Sequence, residues 1–121
     1  MARTSRKLVL ATLTTLSLAT PAVALDGKAL FVEKKCNTCH AVERAGIAKR
    51  VNPKTGKSKK GPDLSDVATR QTDRAWYRKW LQKKLKKPSV YDERKRVKHK
   101  KRFKGSEAEL EAIIDFLLTL K

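Results

Sequence analysis

Cys36-Asn37-Thr38-Cys39-His40 decides how the rest of this chain is read. Two thiols separated by two residues, with an imidazole directly after them, are the set that covalent haem attachment needs. Cys36 and Cys39 reach two vinyl groups from one turn of chain, and His40 is then held beneath the iron as its proximal ligand. Permanent thioether bonds suit a core too small to hold haem tightly by packing. Three other readings compete. A redox Cys-x-x-Cys pair usually sits beside a βαβ pattern, and no stretch here alternates like a strand. A zinc site would need Cys36, Cys39, His40 and His99, and adjacent Cys39 and His40 make poor joint ligands in one tetrahedron. A structural disulfide, the plainest choice in an oxidising compartment, would close a loop too short to constrain much chain. Covalent haem c, one group bound through Cys36 and Cys39, is the reading adopted.

Helical signals lie on both sides of the motif. Asp26 is placed to cap a helix running from Gly27 through Phe31 to Lys35. From Ala41 to Thr72 the pattern is irregular, broken by Pro53, Gly56, Gly61 and Pro62. Trp76, Tyr77, Trp80, Leu81 and Leu85 return at helical spacing after Asp73, and Pro88 stops that helix. A basic irregular segment, Val90 to Lys104, follows. Ser106 and Glu109 then form a capping box ahead of an apolar face of Leu110, Ile113, Ile114, Leu117 and Leu118. The expectation is all-α, with three or more helices and long loops around one haem.

The 121 residues imply one domain. Arg3, Arg6 and Lys7, the apolar run Leu8 to Leu18, and Ala22-Val23-Ala24 after Pro21 read as an export signal. The expected division is a cleaved signal peptide at 1–24 and one haem-binding domain at 25–121, an uncleaved anchor being the second option. The apolar run is short for a span of ~20 residues. The formal charge of +18 falls to +15 when the signal and its three cations are removed. Such a surface attracts acidic partners. Export argues against nucleic acid, which a pI near 10.3 would otherwise bring to mind.

The chain after Ala24 resembles the class I c-type cytochromes. In that family the motif lies near the N-terminus, after a first helix that crosses the last one, and Gly27, Phe31 and Phe116 resemble the residues of that crossing. Gly61-Pro62-Asp63-Leu64 resembles the family's Gly-Pro-x-Leu. The resemblance implies that the Pro62 carbonyl accepts a hydrogen bond from His40 and fixes its ring. Arg70 resembles an arginine that meets a haem propionate, and reads equally well as a surface arginine. Trp76 and Trp80 lie on a helix that looks like the one lining the haem. Trp80 is counted with the cofactor contacts, although core packing also explains the pair.

The pattern departs from the family at the sixth iron ligand. The family supplies a methionine before the last helix, where this chain has Lys100-Lys101-Arg102-Phe103-Lys104-Gly105. The only methionine is Met1. His99 offers an imidazole with an unperturbed pKa of about 6.5, whereas Lys100, which aligns with the methionine, must first lose a proton held at about 10.4. The metal ligands expected are therefore His40 with His99, Lys100 or neither. A filled position suits a periplasmic carrier of single electrons, which is no enzyme in its own right. An open one suits a haem-based small-ligand sensor, and the basic face would also suit a subunit of a larger redox enzyme. The partners expected are acidic redox proteins, with peripheral contact to an anionic membrane surface as a second class.

Overall fold

The computed structural model describes residues 14–17, 24–85, 87–88, 90–92, 94 and 96–121. The export signal expected over 1–24 lies almost wholly outside them. Among the described residues four α-helices follow in order: α1 (Gly27–Glu33), α2 (Val67–Arg70), α3 (Arg74–Leu81) and α4 (Glu107–Leu118). The all-α expectation holds. The one strand pair among the described residues is a two-residue antiparallel ladder, β1 (Lys87–Pro88) with β2 (Arg96–Val97), which closes the basic loop between α3 and α4.

Local chemistry sets the helix starts. The Asp26 carboxylate accepts from the amides of Lys28 at 3.0 Å and Ala29 at 3.2 Å, two donors that have no partner inside the helix. Asp73 caps α3 through the Ala75 amide at 2.9 Å. At α4 the capping box is complete: Ser106 Oγ accepts from the Glu109 amide at 3.1 Å, and Glu109 Oε1 accepts from the Ser106 amide at 2.9 Å. The ends are less regular. α1 stops at Glu33, because Lys35 turns left-handed at φ 61°. α3 stops at Leu81, short of Leu85, because Lys83 does the same at φ 59°.

The core is the crossing of α1 and α4. Leu30 and Phe31 from α1 are buried against Leu110, Ile113, Ile114 and Leu117 from α4, with Val42, Ile47, Val67, Tyr77 and Leu120 completing the cluster. Each such side chain contributes on the order of 1.5–3 kcal/mol when fully buried. Phe31 meets Phe116 edge-on, with centroids 5.7 Å apart and planes at 67°, a favoured aromatic geometry. Helix α2 falls in the stretch expected to be irregular. Its backbone is held from outside: Tyr77 donates its hydroxyl to the Gln71 carbonyl at 2.7 Å, and the Ala68 amide donates to the Leu120 carbonyl at 2.8 Å. Burial pushes the Tyr77 phenol up to about 12, so it stays a donor.

Candidate haem site

The left-handed Lys35 turns the chain out of α1 and directly into the motif. Cys36–Thr38 form one 3₁₀ turn, closed by the Cys39 and His40 amides donating to the Cys36 carbonyl at 3.2 and 3.1 Å. Asn37, inside this turn, is buried. Its amide nitrogen donates to the Ala48 carbonyl at 3.4 Å, while its Oδ1 has no partner. The Arg50 amide donates to the Asn37 carbonyl at 2.8 Å, which brings the basic 49–60 loop alongside the motif.

The cysteines are not bonded to one another. Burial, reinforced by the neighbouring Cys39, pushes the Cys36 thiol up to about 11 against a backbone hydrogen bond that lowers it. A redox Cys-x-x-Cys pair needs the opposite, a thiol depressed towards the thiolate. Among the described residues no three His, Cys, Asp or Glu side chains gather to hold a metal ion, so the zinc reading has no ligand set.

His40 sits where the Gly-Pro stretch can hold it. Its Nδ1 is 2.8 Å from the Pro62 carbonyl oxygen. A carbonyl only accepts, so Nδ1 carries the proton and Nε2 keeps its lone pair. Gly61 makes this approach possible. A Cβ there would stand 2.2 Å from the Cys39 carbonyl oxygen and 3.1 Å from His40 Cε1. Proline at 62 was legible as the ring's anchor; the requirement for glycine beside it shows only in the packed structure. The Leu64 amide, donating to the Ala41 carbonyl at 2.9 Å, keeps the two segments side by side.

On the other side stands His99. The two imidazoles lie with centroids 6.2 Å apart and planes inclined by 12°. The Nδ1 of His99 is bonded to the Lys101 carbonyl at 2.5 Å. Burial lowers the pKa of both rings. At His40 the Pro62 bond opposes this, while His99 and Lys49 add to it; at His99 the Lys101 bond opposes and Lys83 adds. Both rings are therefore neutral near pH 7, the form that binds metal. Trp80 packs against His99 at 6.1 Å with a 55° tilt, and Trp76 stacks on Trp80 at 5.0 Å and 13°.

Two other expected residues take protein partners. Arg70 pairs with Asp66 at 3.3 Å, and its guanidinium covers the Tyr91 ring at 4.6 Å. Tyr91 in turn donates to Asp66 at 3.3 Å. The neighbours of Arg70 thus serve to pin the α3–α4 loop. Lys100 is exposed, and its backbone carbonyl accepts the Lys83 ammonium at 3.4 Å.

The residues present fit a covalently held haem: two thiols at the ends of one turn, a neutral imidazole fixed through Nδ1, and tryptophans close by. No described helix is long and apolar enough to cross a membrane. Neither the curated proteins nor the solved structures include a match to this chain. The family model for cytochrome c does match it, over residues 24–121. With that match spanning the motif, the Pro62 anchor and both crossing helices, the chain belongs to the cytochrome c family, whose members bind haem and transfer electrons.

Proposed function

We propose that this chain is a periplasmic monohaem carrier that moves single electrons between redox proteins and takes acidic partners on a basic face. The observation that carries the reading is the placement of His40, neutral and held through Nδ1 by the Pro62 carbonyl beside both cysteines. Bound haem supplies an iron centre that cycles between ferric and ferrous. The chain's contribution is to hold it. Cys36 and Cys39 each add a thiol across a vinyl group, sulfur to one carbon and hydrogen to the other, with no net oxidation. Pro62 fixes the ring of His40, and a fixed ligand keeps reorganisation small.

Charge supports the partner class. No acidic residue occurs between Arg44 and Pro62, a stretch that carries Lys49, Arg50, Lys54, Lys57, Lys59 and Lys60, and none occurs between Arg94 and Lys104. Both segments lie next to the site, the first through the Arg50–Asn37 bond and the second by carrying His99. Fields of this kind raise encounter rates with anions and are screened beyond ~8 Å at physiological ionic strength.

The test uses the full chain produced in a bacterial host that matures c-type haem. Haem resistant to acid–acetone extraction, recovered in the periplasmic fraction, is the first expected result. The ferrous protein is then oxidised by an anionic iron complex (ferricyanide) and by a tripositive cobalt complex over a range of salt. The anion's rate should fall steeply with salt and the cation's should rise. Flat profiles for both would reduce the lysines to a solubility coat.

A further inference from the structure

We infer that His99 is the second axial ligand of the haem iron, opposite His40, in place of the methionine this chain lacks. The inference deepens the haem-carrier reading and rests on it. Its first support is spacing. Nitrogen–metal bonds of about 2 Å on each side, plus roughly 1 Å from each nitrogen to its ring centre, separate the centres of two imidazoles sharing one metal by about 6 Å. The observed separation is 6.2 Å. Overlapped rings in direct contact would instead lie at about 3.5–4.0 Å. The gap between these near-parallel rings suits an atom between them better than a stack.

The second support is chemical. Both imidazoles spend the same nitrogen on a backbone carbonyl, His40 on Pro62 at 2.8 Å and His99 on Lys101 at 2.5 Å. Each is thereby fixed as the Nδ1–H tautomer, with the lone pair on Nε2 for a metal. A histidine that merely belonged to a solvated basic loop would have no reason to be prepared this way.

The third support is mechanical. His99 is half-buried between two exposed neighbours, Lys98 and Lys100. Helix α3 and the turn after it hold its segment at three points: Trp80 packs on the ring, the Leu81 carbonyl accepts the Phe103 amide at 2.8 Å, and Lys83 reaches the Lys100 carbonyl at 3.4 Å. Trp80 acts here as a positioning residue. Lys100, by contrast, offers its backbone to that brace and leaves its side chain in the exposed loop.

Absorption and electron paramagnetic resonance spectra of the haem-loaded protein test the inference. The wild type should be low-spin in both oxidation states. Its ferric signal should be rhombic, as near-parallel axial planes require, rather than strongly axial. His99→Ala should lose the low-spin signal while keeping its covalent haem, and added imidazole should restore it. Lys100→Ala should leave the spectrum unchanged. Should His99→Ala not fold, the wild type labelled with ¹⁵N-histidine gives the same answer: pulsed spectra show two histidine nitrogens on the ferric iron if the inference is right, and one if it is wrong. Loss of the low-spin signal in Lys100→Ala alone would assign the position to lysine and overturn the inference. So would a high-spin wild type. Absence of covalent haem from the wild type would instead sink the haem reading itself, a result the extraction step separates from the others.

Discussion

A methyl group on Gly27 would stand 2.0 Å from the carbonyl oxygen of Ala112 and 2.8 Å from Cβ of Phe116. Helices α1 and α4 thus cross with backbone against backbone, and both obstructing groups belong to the partner helix. Gly27→Ala should lower the stability of the haem-loaded protein by about 1–3 kcal/mol, the range for overpacking. The sign is diagnostic. Gly→Ala within a helix otherwise gains up to about 1 kcal/mol in propensity. The urea midpoint at constant slope reads the difference, and an unchanged or raised midpoint would show that the crossing has slack.

Gly61→Ala should act on the cofactor more than on the fold. The new methyl meets the Cys39 carbonyl and the edge of the His40 ring, and relieving it moves the Pro62 carbonyl off Nδ1. The expected outcome is a lower yield of covalent haem and an altered reduction potential. The control is Gly56→Ala: unlike Gly61 it sits at positive φ (66°), so the change strains the backbone there, but nothing lies within 4 Å of its position, so it should keep its full haem complement.

The acidic face of α4 is bound to α3 by arginine. Arg74 pairs with Glu111 at 2.6 Å and also with Asp115, while Arg78 pairs with Glu107 and with the same Glu111. These groups are substantially exposed, so each arginine-to-alanine change should lower stability only slightly, and less in high salt. Because Glu111 is shared and the two arginines are like charges, the two single losses should not simply add. Strict additivity in a double-mutant cycle would show that the two pairs do not communicate.

Acid should loosen two named joints. Burial pushes the Asp63 carboxyl up, but the hydroxyl and amide of Ser65, the Glu43 amide and the charge of Arg44 outweigh it and hold it below the ordinary value. Glu109 is held low by the Ser106 amide first and by Lys34. A folded pKa below the unfolded one means stability that is present above the unfolded value and lost as pH falls through the folded one. Starting from 3.8 for Asp63 and 4.5 for Glu109, that loss falls on the acid side of pH 4.5. Asp63→Asn and Glu109→Gln should each flatten the acid limb of stability against pH. Limbs parallel to that of the wild type would remove these two groups from the account.

What was legible in the sequence was what short spans decide. Asp26, Asp73 and the Ser106–Glu109 box act within three residues of themselves, and all three helix starts fell as their chemistry required. The motif was legible for the same reason. The ends of α1 and α3 were not, since nothing in their composition marks Lys35 and Lys83 as left-handed. Long-range pairings divided. The Phe31–Phe116 crossing and the Pro62–His40 bond came through the family resemblance. Arg70 pairs with Asp66 and covers the ring of Tyr91, contacts that neither of its two readings named. The choice between His99 and Lys100 turns on which side chain the α3 brace directs towards His40, and adjacent residues in an irregular loop carry no periodicity that would show it.

Pairing on α4 has a consequence for how the whole molecule turns. Glu107, Glu109, Glu111 and Asp115 are each matched by a cation from α3 or by Lys34, so that helix is close to electrically silent. The two loops beside His40 and His99, by contrast, hold long basic stretches with no acidic residue, 44–62 and 94–104. A molecule charged in this way is a dipole, and an acidic surface exerts a torque on it as well as a pull. On the proposed reading, in which acidic proteins are the partners, that torque would turn the site forward before the surfaces touch.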